Sequence, residues 1–286
     1  MASMIHTVVL EVDNKRADLE HGSIFFIGTA TVLLRSAGFT ILTDPNFLRM
    51  GDKAHLGYGF KARRLLNPAI SLDRLPPVDL VLLSHMHEDH FDRTVMRKLN
   101  KLTPIVTTPQ AAQTLQKKGF RRVYPLATWE KLSMIKGGRT LHITAMPGRH
   151  GPPVVSKLLP AVMGSMLEFE PVVGKVATRI YISGDTLPYK ALREIPKRYP
   201  AIDIALLHLG GTKLAGLTVT MNGQQGVEMA KLIKAQTTVP IHYNDYDVFK
   251  SPLNDFIREC ARARLSDRVH TLMHGETYTF TVPHPS

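Results

Sequence analysis

The chain has 286 residues, of which 44% are hydrophobic, and its 36 basic against 24 acidic side chains give a formal net charge of +12. That supplies enough apolar material for a sizeable core, and no run reaches the roughly 18 apolar residues of a membrane-spanning helix. The opening MASMIHTVVLEVDNKR lacks the basic start, apolar stretch and cleavage site of a signal peptide, so a cytoplasmic protein is expected. Cys260 is alone, which excludes an intrachain disulfide, and it reads as a small buried hydrophobe on a helix. The positive charge would attract anions, whether phosphorylated metabolites, acidic lipid headgroups or nucleic acid. Most of the cations are scattered, but five lie in the sixteen residues Arg49 to Arg64.

Taken in chain order, Ile24 to Ile27, Thr31 to Leu34 and Thr40 to Thr43 read as a strand meander, the last two joined by the turn Ser36-Ala37-Gly38. Val78 to Leu83 reads as a buried strand. Val95, Leu99 and Leu102 then follow helical spacing, Pro104 to Thr108 is a further strand, and Gln110 to Lys118 reads as a helix stopped by Gly119. Strands are expected around Lys131 to Ile135 and Thr140 to Ala145, before a Pro/Gly-rich loop from Met146 to Pro153. The apolar segment Pro152 to Met166 suits either a lid or ordinary core. Strands Arg179 to Ser183 and Ile202 to Leu207, helix Gly223 to Ala235, strand Val239 to His242, helix Leu253 to Leu265 and strands Val269 to Met273 and Thr277 to Val282 complete the pattern. The second half echoes the first with no linker between them. Residues 1–286 are therefore expected to form one domain, with two sheets face to face and helices outside.

The segment richest in chemistry is Asp79-Leu-Val-Leu-Leu-Ser-His85-Met-His87-Glu-Asp89-His90, a buried strand running into four metal-binding side chains. Alternation along an extended chain places His85 and His87 on one side, where both imidazoles reach one ion. Asp89 and His90, at the turn into a helix, can reach a second. Imidazole with carboxylate suits zinc, and also iron or manganese.

This segment resembles the metallo-β-lactamase superfamily, whose hallmark is His-x-His-x-Asp-His at a strand end. Further matches follow the family's order: Asp44 in Leu-Thr-Asp-Pro, His150 in Pro-Gly-Arg-His-Gly, Asp185 in Ile-Ser-Gly-Asp-Thr and His242 in Pro-Ile-His-Tyr. The resemblance implies an α/β fold, a four-layer αββα sandwich of two mixed β-sheets flanked by helices. It also implies two divalent metal ions, zinc first, with manganese or iron as alternatives. His85, His87 and His150 would hold one, Asp89, His90 and His242 the other, with Asp185 bridging and Asp44 bracing the ligand loop by hydrogen bonds. Without the resemblance, His150 could be a solvent-facing loop residue, Asp185 the cap of a helix starting near Leu187, and His242 a core histidine.

His87 excludes the di-iron, oxygen-reducing relatives, which have Glu there. Gly28-Thr29-Ala30-Thr31, Leu209-Gly210-Gly211 and His274-Gly275-Glu276 resemble the branch containing ascorbate-6-phosphate lactonase and N-acyl phosphatidylethanolamine phospholipase D. The chain departs from that branch at Thr29, where many members have His, and at Thr220, where the phospholipase has His. Asp89, His208 and His274 are the expected catalytic residues, the two histidines as oxyanion or proton partners. Arg63 and Arg64 are expected to bind an anionic end of the substrate. The leading expectation is hydrolysis of a lactone or phosphoester in a small anionic substrate. The alternatives are a nuclease of the same fold, a weak β-lactam hydrolase or a non-catalytic metal-binding module, and a homo-oligomer remains open.

Overall fold

The computed structural model describes residues 6–12, 18–57, 59–214 and 216–283. Two seven-stranded mixed sheets dominate it. From edge to edge, the first contains Thr277–Thr281, His21–Gly28, Thr31–Ser36, Phe39–Thr43, Leu80–Leu82, Ile105–Thr107 and Val123–Pro125. The second contains His6–Val9, Lys131–Lys136, Arg139–Pro147, Met163–Glu170, Thr178–Ile182, Ile204–His208 and Thr237–Ile241. Each sheet thus takes one strand from the far end of the chain.

Alternation explains the layers. Ile24, Phe26, Val32, Leu34, Ile41, Leu80, Leu82 and Val106 point to the inner face and share one apolar core with Leu132, Met134, Leu141, Ile143 and Leu167 of the facing sheet. Their strand neighbours Ile27, Leu33, Leu42, Val81, Leu83 and Ile105 point outward, onto Val95, Ala111, Ala112 and Leu115 of helices Arg93–Lys98 and Pro109–Lys117. Both helices are capped by their own sequence: Asp92 accepts from Thr94 and Val95 N–H, and Thr108 from Ala111 N–H. On the second sheet, Gly223–Ile233 and Leu253–Arg262 contribute Val227, Met229, Ile233, Phe256 and Cys260 to the large core. Asn222 and Gln225 close a capping box at the start of the first of these helices. Among the described residues, no helix is long and apolar enough to cross a membrane.

Three elements differ from the sequence pattern. The helix after Asp92 ends at Lys98, not beyond Leu102, because the Asn100 side chain accepts from Leu102 N–H and its carbonyl from Thr103 N–H, turning the chain. Val269 to Met273 forms no strand; only an isolated bridge joins Val269 to Thr238, and Met273 N–H turns onto the Glu276 carboxylate. The segment Pro152 to Met166 divides in two. A short 3-10 turn, Val155–Lys157, leaves Val154 and Leu158 exposed, whereas Met163 and Met166 lie buried in the strand Met163–Glu170.

Candidate metal centre

The ligand candidates gather where strands of both sheets end. Leu80–Leu82 leads into Ser84, His85, His87, Asp89 and His90, Phe39–Thr43 into Asp44, Thr178–Ile182 into Asp185, Ile204–His208 ends in His208, and Thr237–Ile241 leads into His242. Asp44 and His242 adopt the left-handed backbone region, at φ 34° and 62°, uncommon for residues with a Cβ. Gly184 (φ 61°) cannot be replaced cheaply, since an added Cβ would lie 2.8 Å from the Met163 carbonyl. The chain therefore turns sharply at Gly184 just before presenting Asp185.

Among the described residues, the potential ligand atoms of His85, His87 and His150 lie within 4.8 Å of one another, as do those of Asp89, His90 and His242, and those of His85, His90 and Asp185. His85 Nε2 faces His87 Nδ1 at 3.0 Å. Asp185 Oδ2 stands 3.3 Å from His90 Nε2 and 3.8 Å from His150 Nε2, while Asp185 Oδ1 is 3.7 Å from His242 Nδ1. Asp89 Oδ2 is 3.5 Å from His242 Nε2. Asp185 does not cap a helix: the next turn, Lys190–Arg193, starts five residues later.

The surroundings fix which atoms are presented. A carbonyl only accepts, so His150 Nδ1–H donates to Val219 O (2.9 Å) and leaves Nε2 with its lone pair facing the cluster. His242 Nδ1–H likewise donates to Leu209 O at 3.2 Å. Buried His87 Nε2, Asp89 Oδ1, Asp185 Oδ1 and His242 Nε2 have no hydrogen-bond partner, a concentration of unmet polar atoms that suits a cation. Asp44 binds no member of the first ligand trio; its Oδ2 takes His90 Nδ1 and His208 Nε2, each at 3.2 Å, and Ser84 holds both its oxygens. A carboxylate behind an imidazole in this way orients the ring and raises its basicity as a ligand.

Charge within the cluster is divided. Burial above all, with nearby imidazoles, holds His85, His87 and His150 below the ordinary histidine value, His87 down to about 3, so these rings are neutral and able to ligate. Burial also disfavours charge on His90 and His242, yet the facing Asp185 and Asp89 outweigh it and raise both. Burial pushes Asp89 and Asp185 up, but the imidazoles opposite prevail and keep both carboxylates ionised. Three neutral imidazoles, with ionised carboxylates facing two further imidazoles, make the donor set expected around one or more divalent cations.

His87, Asp89, His150 and Asp185 form one side of a pocket whose other walls are Leu56, Phe60, Leu159, Leu214, Val219 and Val248, with Thr212, Thr220, Lys61 and Lys213. Two short hairpins supply much of it: Lys53–His55 with Lys61–Arg63, and Lys213–Leu214 with Leu217–Thr218. Neither hairpin is signalled by the sequence pattern, and Lys213 and Thr212 carry no motif. The Thr220 Oγ1, at the position where the phospholipase has His, accepts from Thr212 N–H at 2.8 Å.

Four residues expected to meet substrate stand elsewhere. Arg64 is a correction: it is 1% exposed, and its guanidinium is consumed by Leu66 O, by the backbone and side chain of Asn46 and by Asp245, so it has no group left for an anion. Arg63 is exposed but does not line the pocket; Lys61, two residues earlier on the same face, does. His208 is fully buried between Asp44 and Ser183 and does not line the pocket. His274 is also turned away from the pocket, with Nε2 3.1 Å from Asp245 Oδ2 and Nδ1 3.1 Å from Asn67 O. It packs against Gly28 (φ 139°), where any Cβ would lie 2.9 Å from the His274 ring.

His274 gives a pH signature. Burial lowers its pKa and Arg64 opposes its charge, but the Asp245 bond and charge win and the pKa is raised above the ordinary 6.5. A group whose folded pKa exceeds its unfolded value adds stability that is fully present below the unfolded value and lost as pH rises through the folded one. Replacing His274 by Gln is therefore expected to cost more stability at pH 5.5 than at pH 8.5; urea unfolding at the two pH values checks this, and an equal cost would show that His274 is neutral throughout.

Fold and site together define a metal-dependent hydrolase. Residues 40–243 match the beta-lactamase superfamily domain, and the chain belongs to that superfamily. It is similar to the N-acyl-phosphatidylethanolamine-hydrolyzing phospholipase D 1 of Caenorhabditis elegans, 26% identical over 83% of this chain and 69% of that protein. It is also similar to a metal-dependent hydrolase of Nanoarchaeum equitans, 28% identical over 70% of this chain and 84% of that protein. Among solved structures, an isothiocyanate hydrolase from Delia radicum gut bacteria shares the fold, with a TM-score of 0.78 and 21% identity across 91% of this chain and 100% of its own.

Proposed function

We propose that this chain hydrolyses a lactone or phosphoester bond in a substrate carrying both an apolar and an anionic group. The observation that carries this reading is the pocket itself, in which four candidate ligands share the wall with six apolar side chains and two lysines. Two divalent cations, zinc best matching the donors, would be held by His85, His87 and His150 and by Asp89, His90 and His242, with Asp185 common to both. When bound, such a pair supplies a water acidic enough to attack at neutral pH and a Lewis acid that polarises the bond under attack. The chain's own residues do the remaining work. Asp44, steadied by Ser84 and His208, orients the His90 ring. Leu56, Phe60, Leu159, Leu214 and Val248 exclude water around the apolar part, and Lys61 and Lys213 face its anionic group. The phospholipase relative makes a phosphodiester the first substrate class to try, although Thr220 replaces a histidine of that enzyme.

Metal analysis of the purified protein, followed by a panel of lactones, phosphodiesters and phosphomonoesters with the metal held fixed, tests the reading. Two equivalents of metal and chelator-sensitive cleavage within the panel are expected; a metal-free protein, or one inert toward all three classes, overturns it. Lys61→Ala should raise KM for an anionic substrate about tenfold and leave kcat nearly unchanged, because a contact remote from the reacting bond is felt equally in ground and transition states. Added salt should shrink that effect. A nuclease rests on the +12 charge alone; metal-dependent cleavage of single-stranded RNA that weakens steeply with salt would put it first.

A further inference from the structure

The fourth residue of His85-Met-His87-Glu88-Asp89-His90 is left over by metal binding, yet both its carboxylate oxygens and both its backbone groups are tied. Glu88 Oε2 accepts the His55 N–H at 2.7 Å, and the Glu88 N–H points back to the His55 carbonyl at 3.3 Å. Glu88 Oε1 takes Arg93 Nη1 at 2.9 Å, and the same nitrogen donates to Lys53 O at 2.9 Å. The Glu88 carbonyl accepts from Asn46 Nδ2 at 2.7 Å. The Asn46 bond fixes the backbone of Glu88, and the other ties run to the strand Lys53–His55 directly or through Arg93. In its antiparallel register, His55 lies directly opposite Lys61. That hairpin delivers Leu56, Phe60 and Lys61 to the pocket, while the two neighbours of Glu88, His87 and Asp89, form the pocket's metal-binding side.

We infer that Glu88 is a positioning residue that sets substrate preference: it fixes the hairpin Lys53–Arg63 to the metal-binding loop, so that the apolar and cationic groups of the hairpin stand at a defined place beside His87 and Asp89. The physical case is one of leverage. A hairpin of three-residue strands has few ladder bonds of its own. Its second strand is held by the bonds between Arg63 and Asp247 and by Ala62 packed with Leu48 and Tyr246, whereas the polar ties of its first strand, Lys53–His55, run to Glu88 and Arg93. A charge-assisted acceptor serving a backbone N–H and a guanidinium at once provides what the ladder lacks. Substrates that use the hairpin should depend on Glu88, and substrates too small to touch it should not. This inference rests on the proposed hydrolase reading for its kinetic consequence, but not for its structural one.

The test compares wild type, Glu88→Ala, Glu88→Gln and the double variant Glu88→Ala with Lys61→Ala, all metal-loaded. Amide hydrogen exchange across residues 53–63 is measured first, then kinetics with bis(p-nitrophenyl) phosphate, which is anionic and bulky, and with γ-butyrolactone, which is small and neutral. Glu88→Ala is expected to speed exchange in 53–57 at least tenfold, with metal content as in wild type. It should raise KM for the phosphodiester about tenfold while leaving the KM for the lactone within twofold. Glu88→Gln keeps a carbonyl acceptor for His55 N–H and should restore much of the loss. The double variant should be no worse than the poorer single one, since both act through the same contact. Unchanged exchange in Glu88→Ala overturns the inference whatever the kinetics show, as does a KM rise equal for both substrates or fully additive losses in the double variant. If the wild type cleaves neither probe, the hydrolase reading falls for these classes, and the exchange data still decide whether Glu88 holds the hairpin.

Discussion

Asp185→Ala is expected to reduce bound metal from two equivalents to one or fewer and to lower kcat/KM at least about a thousandfold, equivalent to about 4 kcal/mol of transition-state stabilisation. Asp185 is the carboxylate that meets both halves of the cluster, with Oδ2 near His90 and His150 and Oδ1 near His242. Removing it takes away the carboxylate that faces His90, His150 and His242, and leaves the two sets of ligands without a common member. Asp185→Asn keeps the shape and separates loss of charge from loss of packing. Metal analysis by mass spectrometry, with kinetics on the same samples, checks the result; wild-type metal content in the alanine variant would sink the two-metal assignment.

Arg64→Met is expected to act in an entirely different way, lowering stability by about 3–5 kcal/mol, the usual cost of removing one partner of a buried ion pair. The Arg64 and Asp245 side chains are both fully buried, and Arg64 also satisfies Leu66 O and the Asn46 carbonyl. Asp245 in turn accepts the Thr29 N–H at 2.9 Å, and the Thr29 carbonyl takes the His242 N–H at 2.6 Å. The pair therefore braces the backbone under a candidate ligand. Thermal unfolding should show a fall of Tm on the order of 10 °C. KM for anionic substrates should stay near that of wild type, the reverse of the pattern expected for Lys61→Ala. A normal Tm with a raised KM would return Arg64 to the role its place in a basic segment first implied.

The contrast between these residues shows what a single sequence reveals. The run from Asp79 to His90 was legible because its chemistry is local: a buried strand and four metal-binding side chains need no partner to be recognised. Asp44, His150, Asp185 and His242 became legible only through their order along the chain, since each taken alone fits an ordinary loop, cap or core residue. Most strands were legible from apolar runs, with bounds shifted by a residue or two. Met163–Glu170 was not, because Ser165, Glu168 and Glu170 interrupt the run and are buried in the sheet. Arg64 was misread and Lys61 overlooked for one reason. Once the short strand Lys61–Arg63 is known, alternation sends Ala62 and Arg64 inward and Lys61 and Arg63 outward. The partners that make an inward arginine tolerable, Asn46 and Asp245, lie far away in sequence and leave no local trace.

The exchange of outer strands between the sheets bears on how the molecule comes into being. His6–Val9 lies beside Lys131–Lys136, and Thr277–Thr281 beside His21–Gly28, so each sheet waits for a segment remote from most of its own. Contacts of such long sequence separation form late and slowly, after the hairpins that close locally. A chain emerging from the ribosome presents His85, His87, Asp89 and His90 before His242, the Asp245 beneath it and the strand that seals the first sheet. The candidate metal centre and the sandwich that surrounds it therefore both depend on pairing between segments remote in sequence.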